Sequence, residues 1–432
     1  MNRYLFILIL VSVTTRSFSQ SIDAYTHAID FLPPPPNATA IMKHDALAIN
    51  KNTGAPNINI PLMPLKGIKL NLGASIAYAS TGLKVDEIAS RVGMGWTIQM
   101  GGVVTRTVRA VPDEQSARLL PPTFANDCQT YNYFRSATLA PVNDTEPDLF
   151  TFSMNGLSGS FILDQNMNPV ILSGQRYKIQ FDLTSTSPAW NFKITDDQGV
   201  IYYFGGTNAV EKTSRQSTCS RNFLNPIPVS WYLIKIQHPN GEAINFSYSP
   251  ISYSYDTGYS ETQQWRYLIP NTTFADPNNV ASYYCPYCDP VPTSYCASYA
   301  NATGVILSSI STTAGYSATI GYTTRTDCTD KLIGTIAYYG PDGTSIGSYS
   351  FQYNTVQSNL NYANSHGTYY GYDKTPYLVS LTEYAAGGAA VNAHLFTYID
   401  PAGRAPRLSL SQDHWGYFNG VINSKQNKYH IK

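Results

Sequence analysis

Six cysteines are the side chains of this 432-residue sequence with the widest range of possible chemistry. They are Cys128, Cys219, Cys285, Cys288, Cys296 and Cys328. An even number of cysteines is typical of disulfides in an oxidising compartment, and the sequence leaves the pairing open. Cys285-Pro-Tyr-Cys288 has the spacing of half a zinc site or of a redox motif, but the region has no second pair at ligand spacing and no nearby histidine. We therefore predict disulfides that staple loops, with free or redox thiols as the alternative, and no metal.

Two glycine motifs invite comparison with known ligand-binding and catalytic loops. Gly93-Met-Gly-Trp96 lacks the third glycine and the βαβ unit of a dinucleotide site. Gly156-Leu-Ser-Gly159 lacks the flanking glycine and the α/β pattern of a nucleophile elbow. We predict a steric role for the first motif, in which Gly93 and Gly95 permit a tight reversal and Trp96 packs flat beneath it.

The remaining acidic and imidazole groups do not form a recognisable active site. Asp144-Thr-Glu-Pro-Asp148 offers oxygens to calcium but lacks the other ligands of a known loop, which favours a solvated turn. The 7 histidines are scattered, and His414 lies in an aromatic motif where packing is the simpler role. We predict no catalytic, cofactor-binding or metal-binding residues, and we rank a hydrolase last among the candidate functions.

Composition favours an all-β protein and excludes some partners. Charged residues make up 13% of the chain, and 28 basic residues balance 28 acidic ones, so nucleic acid and anionic membrane surfaces are not expected partners. The chain has 34 Tyr, which favours pleated surfaces, together with 30 Gly and 27 Pro, which favour turns.

The first 19 residues have the pattern of a signal peptide. Asn2-Arg3 supplies positive charge, Tyr4 to Val13 is apolar, and Ser17-Phe18-Ser19 provides small residues before a cleavage site. The apolar run is too short to span a bilayer, although an uncleaved anchor is the alternative. We therefore predict a secreted or cell-surface protein whose mature chain has no integral membrane span.

Residues 20–52 are predicted to form a tether that contains Pro33-Pro-Pro-Pro36. Consecutive prolines favour polyproline II and cannot donate to a β-ladder. A docking site for a proline-binding domain is the less favoured alternative.

A period of two marks the first strong strand, because apolar residues occupy every second position: Leu70, Leu72, Ala74, Ile76 and Tyr78. Gly101-Gly102 then opens a second strand from Val103 to Arg109. Pro61 falls inside the alternating run from Ile58 to Leu62, which predicts an edge strand there. Residues 53–113 thus form a signature β segment.

Hairpins follow in both later regions, 114–230 and 231–432. Beyond residue 230 a loose unit recurs, in which a strand, a glycine turn and a second strand end in an aromatic-x-Tyr or apolar-x-Tyr step. A single hairpin cannot bury its apolar face alone, so such units must join a larger sheet. Residues 110–148 and the insert from Tyr253 to Asn301 are predicted to be loops. We expect successive antiparallel hairpins that wind into a large curved sheet with long cysteine-containing loops.

Several motifs resemble the N-terminal part of secreted RHS/YD-repeat proteins of the Bacteroidetes type. The matching pieces are Asn52 to Pro61, Thr81 to Ser90, Val92 to Thr97, Gly101 to Arg109 and Asp413 to Gly420. The resemblance marks Gly93, Gly95, Trp96, Gly101, Gly102, Trp415 and Gly416 as structural signature residues. The Gly-x-Gly-Trp-Thr step is also similar to the start of insecticidal-toxin B components and SpvB-like proteins.

The resemblance implies a hollow shell of β-hairpins that can enclose a toxic domain. It further implies that the chain ends before the YD-repeat body and carries no toxin, so a downstream RHS body or an encapsulated toxin would be its partner. The leading hypothesis is therefore an exported, non-enzymatic scaffold forming part of an RHS-type shell. The second is a cell-surface module that binds carbohydrate or mediates adhesion through exposed aromatic rings, with glycans as its partners.

Overall fold

The computed structural model describes most of the chain between residues 31 and 421. The described residues are 31–39, 41, 58–78, 80, 82, 84–115, 122–139, 144–174, 176–218, 222–262, 294–360 and 373–421. The predicted signal peptide lies outside them. None of the helices in these ranges has the length and apolar character needed to cross a membrane.

The described chain is nearly all β, which confirms the predicted fold class. The first ten strands are β1 (Phe31–Leu32), β2 (Ile58–Lys66), β3 (Asn71–Tyr78), β4 (Trp96–Gln99), β5 (Gly102–Arg109), β6 (Leu149–Met154), β7 (Leu157–Leu163), β8 (Pro169–Ile171), β9 (Lys178–Phe181) and β10 (Phe192–Thr195). The next ten are β11 (Ile201–Phe204), β12 (Val210–Ser217), β13 (Phe223–Gln237), β14 (Ala243–Thr262), β15 (Ser294–Thr312), β16 (Ser317–Thr324), β17 (Lys331–Tyr339), β18 (Ser345–Gln357), β19 (Lys374–Ala385) and β20 (Ala390–Leu395). Short 3₁₀ turns occupy Asp113–Gln115 and Pro401–Gly403, and helix α1 spans Cys128–Leu139.

Seventeen of these strands belong to one antiparallel sheet, and β2, β3 and β4 form a second, three-stranded sheet. Consecutive hairpins supply most of the pairings, as the sequence predicts. The two sheets are joined by polar contacts as well as by packing. The Glu242 carboxylate accepts the backbone N–H groups of Ile68, Lys69 and Leu70 at 2.5, 2.7 and 3.2 Å, which holds the β2–β3 turn against the large sheet.

Strand β13 is the junction of the large sheet. Its residues pair with β5 and β14 as well as with β11 and β12. Strand β12 pairs in turn with β15, and β15 pairs with β14. The pairings β12–β13–β14–β15–β12 therefore form a closed circuit, which satisfies strand edges that would otherwise expose unpaired backbone groups.

Aromatic side chains fill the core beside this junction. Phe192 and Trp231 are buried, and their ring centroids are 4.8 Å apart. Phe150 stacks on Phe161 at 5.0 Å and lies 5.7 Å from Phe192. Because β2 and β3 place their apolar face in the same cluster, the two sheets share one core.

Three sequence expectations require correction. Residues 110–148 were expected to be a loop, but they contain helix α1. The expected insert between 253 and 301 is partly strand, because β14 extends to Thr262 and β15 begins at Ser294.

The third correction concerns the predicted tether, part of which is integrated into the fold. Leu32 pairs with Val108 of β5 and is buried. Residues 36–39 are helical, the Thr39 N–H donates to the Pro35 carbonyl at 3.0 Å, and Ala38 is fully buried. The predicted polyproline II segment therefore does not continue through Pro36, because this proline begins a helical turn. The missing N–H of proline costs little at the first position of a helix.

Replacing Phe192 by alanine should lower the free energy of unfolding by about 3–5 kcal/mol, because the vacated space is enclosed by other aromatic rings. The matched control is Phe134→Ala, since Phe134 lies on α1 with 55% of its surface exposed. The control should lose less than about 1 kcal/mol. Urea unfolding monitored by circular dichroism measures both values, and equal losses would show that the aromatic cluster is not the core.

Candidate functional site at the signature corner

The segment Lys84–Trp96, here called the signature corner, reverses the chain between β3 and β4. Gly93 and Gly95 have φ values of +94° and +77°, which residues with a Cβ rarely adopt. A Cβ on Gly93 would lie 2.9 Å from the Leu378 backbone nitrogen. The Met94 N–H donates to the Pro376 carbonyl at 2.9 Å. Gly93 thus lets the corner lie directly on β19, and Gly95 lets it lie against the Tyr78 ring of β3.

Trp96 ends the corner and is 2% exposed. Its Nε1–H donates to the Tyr398 hydroxyl at 2.8 Å, and that hydroxyl donates to the Leu378 carbonyl at 2.8 Å. The indole centroid lies 5.3 Å from the Tyr78 ring and 4.5 Å from the Phe396 ring. One side chain therefore joins the small sheet to the segment that follows β20.

The signature corner contacts the motif from Asp413 to Gly420, although the two are far apart in the sequence. Lys84 and Tyr417 form an isolated β-bridge, and the Val85 N–H donates to the Gly416 carbonyl at 2.9 Å. Gly416 has a φ of +85°. The Trp415 side chain beside this contact is 71% exposed.

A buried ion pair fastens the corner to the hairpin array. Arg91 Nη2 lies 3.1 Å from Asp330 Oδ1, on the β16–β17 connection, and Arg91 Nη1 donates to the Val305 carbonyl at 3.1 Å. The Asn37 amide donates to Asp330 Oδ2 at 2.6 Å. Burial alone would lower the pKa of Arg91, but the Asp330 carboxylate and the other acidic groups around it raise that pKa above its usual value. We call Asn37, Arg91 and Asp330 the clasp.

Glu211 lies next to the clasp, inside the closed circuit of β12 to β15. The carboxylate is fully buried and accepts hydrogen bonds from Tyr232 at 3.3 Å and Tyr253 at 3.2 Å. Burial raises the pKa of Glu211 to about 7; Arg91 lowers it and Asp330 raises it. Two carboxylates therefore surround one guanidinium, an arrangement that favours a proton on one of them.

Gly101 and Gly102 lie where β5 begins. Gly101 has a φ of +135°, and a Cβ on it would approach the Phe246 ring at 3.5 Å. A Cβ on Gly102 would lie 2.6 Å from the Ser153 carbonyl oxygen. This pair thus allows the close approach of β5 to β6, at the other end of β4 from the signature corner.

The cysteines do not form one cluster in the described chain. Cys128 is exposed at the start of α1 and Cys328 is half-buried near the clasp, and both are free thiols, which corrects the expectation that they form disulfides. Burial raises the pKa of Cys328 to about 11. Cys296 is not a free thiol. Cys219, Cys285 and Cys288 lie outside the described residues, so disulfides among these four remain a prediction.

The acidic residues of 144–148 do not form the expected solvated turn. Asp144 and Asp148 are buried. Asp148 accepts the Arg109 N–H at 2.8 Å and lies 3.6 Å from the Arg106 guanidinium, which also contacts Glu114 at 2.7 Å. The carboxylates thus fix the loop to β5.

Among the described residues, no three His, Cys, Asp or Glu side chains are grouped so that they could hold a metal ion. His414 lies beside the exposed Trp415 ring, at 5.7 Å between centroids.

Sequence reasoning missed Arg91, Asp330 and Glu211, since isolated charges resemble ordinary surface residues. The signal available for Arg91 was its position inside the glycine motif. What the corner does physically is bind separate parts of the chain to one another.

No family model and no curated protein matches the chain. Similar solved structures include a crystal structure of TcdB2-TccC3-Cdc42, at 11% identity and a TM-score of 0.34, covering 78% of this chain. The N-terminal domain of effector protein SpvB from Salmonella typhimurium strain LT2 has 11% identity and a TM-score of 0.34 over 77% of this chain and 99% of that one. The Photorhabdus luminescens Tc holotoxin pore has 9% identity and a TM-score of 0.33 over 78% of this chain. The chain spans 15% of the length of the TcdB2-TccC3-Cdc42 and holotoxin chains that it matches.

Trp96→Ala should lower the free energy of unfolding by about 3–5 kcal/mol, because it leaves a cavity between the two sheets and removes the partner of Tyr398. Trp415→Ala is the same substitution at an exposed ring and should change stability by less than about 0.5 kcal/mol. Chemical denaturation of both variants tests this difference. A neutral Trp96→Ala would mean that the corner does not hold the sheets together.

The raised pKa of Glu211 predicts a specific pH dependence of stability. The folded state binds the Glu211 proton more tightly than the unfolded chain does. The contribution of Glu211 to the free energy of unfolding is therefore complete below its ordinary pKa of 4.5, and it declines as the pH rises to about 7. Glu211→Gln should abolish the decline, which amounts to roughly 3 kcal/mol by linkage. The exposed Glu146→Gln serves as control. Parallel stability–pH curves for wild type and Glu211→Gln would contradict the assignment.

Proposed function

We propose that the chain is an exported, non-enzymatic β-rich scaffold and forms the N-terminal portion of an RHS/YD-repeat shell. The sequence motifs that resemble that family are used here for packing, since Gly93 lies on β19, Gly95 lies against Tyr78 and Trp96 binds Tyr398. The observation that carries the proposal is the character of strand β20, at the C-terminal end of the hairpin array.

Strand β20 has an open edge. It pairs with β19, and no residue of a second strand is in register with it among the described residues. Apolar side chains at this edge are exposed, with Val391 at 65% and Leu395 at 79%, and Ile399 just beyond it is fully exposed. An open strand with exposed apolar groups is a template for another strand. In the proposed shell, the next hairpin of the repeat body pairs with β20.

The edge can be tested by double substitution, Val391→Lys with Leu395→Lys, in the mature chain. Wild-type protein should associate through β20 as its concentration rises, and hydrogen exchange at β20 should slow in step. The double variant should remain monomeric with an unchanged melting temperature, because both side chains already face solvent. Light scattering and hydrogen-exchange mass spectrometry give the two readouts.

A matched control exists at β8, which pairs with one strand only in the described part of the chain. Strand β8 pairs with β7, and the nearby Val170 and Leu172 are 42% and 54% exposed. In the proposed shell the next hairpin is added at β20 and not at β8. Val170→Lys with Leu172→Lys should therefore leave association of the chain unchanged. Wild type that stays monomeric throughout the micromolar range, with fast exchange at β20, would contradict the proposal.

One observation favours a second candidate, a carbohydrate-binding surface module. Trp415 is 71% exposed next to His414, and an exposed indole can stack on a sugar ring. A glycan array separates the candidates. Saturable binding that Trp415→Ala abolishes would support the carbohydrate module, whereas the scaffold should bind no glycan saturably.

A further inference from the structure

Arg404 is a buried cation whose charge is not balanced by a bound carboxylate. Its side chain donates to the Thr375 hydroxyl and, at 3.4 Å, to the Glu87 carbonyl oxygen, while Nε has no hydrogen-bond partner. Among the described residues, no carboxylate oxygen lies within 4 Å of its guanidinium. The Tyr377 hydroxyl lies beside the guanidinium, and burial raises the pKa of that phenol, so it supplies no formal negative charge.

Two other buried arginines of the fold, Arg91 and Arg325, do have carboxylate partners. Arg325 binds Asp327 through two N–H groups, at 2.8 and 2.6 Å, and Arg91 binds Asp330. Burial lowers the pKa of Arg404 below its usual value, whereas the carboxylates hold the pKa values of Arg91 and Arg325 above theirs against the same effect. A buried guanidinium without an ion-pair partner is unfavourable, and a bound anion would stabilise it.

Arg404 lines a cavity of about 290 Å³ between the signature corner, the β16–β17 connection and the start of β19. This volume is close to the lower limit for small-molecule sites. Lys374 and Thr375 also line it. The unpartnered Nε–H and an adjacent Nη–H form the side-on fork that matches a carboxylate or phosphate group.

We propose that the Arg404 cavity binds the oxyanion group of a small molecule, a carboxylate or a phosphate, side-on to the Arg404 guanidinium. Lys374 supplies a second positive charge at the same cavity, and the Thr375 hydroxyl orients the guanidinium. The proposal is independent of the shell function, since it rests on an unbalanced charge and not on the edge of the sheet.

The other charges around the cavity are already engaged in ways that leave Arg404 available. Asp327 is held by Arg325. Asp256 faces Arg407, whose Nη1 donates to the Asp256 carbonyl at 2.8 Å and whose Nη2 lies 3.9 Å from Oδ2. Asp86 also interacts with Arg407. The Glu87 carboxylate lies near enough to Arg404 to oppose the lowering of its pKa, but it forms no ion pair with the guanidinium within 4 Å among the described residues. These acidic groups would repel a second anion, which favours one oxyanion at Arg404.

Calorimetric titration of the mature chain with acetate and, separately, with inorganic phosphate tests the site. Saturable binding of one of them is expected, and the preferred probe identifies the chemistry. Arg404→Gln should weaken that binding at least tenfold, and Arg404→Lys should weaken it too, because an ammonium lacks the fork. The control is Arg135→Gln, at an exposed position on α1, which should bind as wild type does.

Melting temperatures provide a readout that does not depend on detecting heat. In buffer without either probe, Arg404→Met should melt at or above the wild-type temperature, because it removes a buried unpaired charge. Added probe should raise the melting temperature of the wild type and leave Arg404→Met unchanged. Absence of saturable binding by both probes, or equal binding by wild type and a folded Arg404→Gln, would overturn the proposal.

Discussion

The position of one buried guanidinium, that of Arg91, constrains the middle of this fold. A charge taken out of water must keep its counter-ion, and here Asp330 supplies it from a hairpin connection more than 200 residues further along the chain. Asn37 donates to the same carboxylate, so the N-terminal segment is fixed as well. The N-terminal segment, the signature corner and the hairpin array are therefore mutually positioned by one polar cluster.

The clasp explains why the glycine motif is best understood as a structural device. Gly93 lets the backbone lie on β19, and Trp96 is buried where the corner ends. Arg91, two residues before Gly93, is thereby placed against Asp330. The scaffold proposed above needs such a device, because its separate hairpins must be joined into one continuous sheet.

Local structure was predictable from the sequence wherever a pattern repeats over a few residues. The period of two in β3 and the turn at Asn155-Gly156 gave correct strands and hairpins. Helix α1 was missed because its tyrosines and threonine also favour strands. The pairing of β12 with β15 was out of reach, because periodicity shows which face is buried but not which strand lies beside it. Glu211 was missed for the same reason, since its burial is created by that long-range closure.

A double-mutant cycle on the clasp tests the structural role of the corner most directly. Arg91→Met leaves the Asp330 carboxylate without its cation, and Asp330→Leu leaves Arg91 with only the more distant Glu211 carboxylate, so each change should lower the free energy of unfolding by about 3–5 kcal/mol. The double variant removes both charges, so its loss should be smaller than the sum of the single losses by at least about 2 kcal/mol. Strictly additive losses would show that the two side chains do not hold each other, and would contradict the account of the corner as the fastening of the sheet.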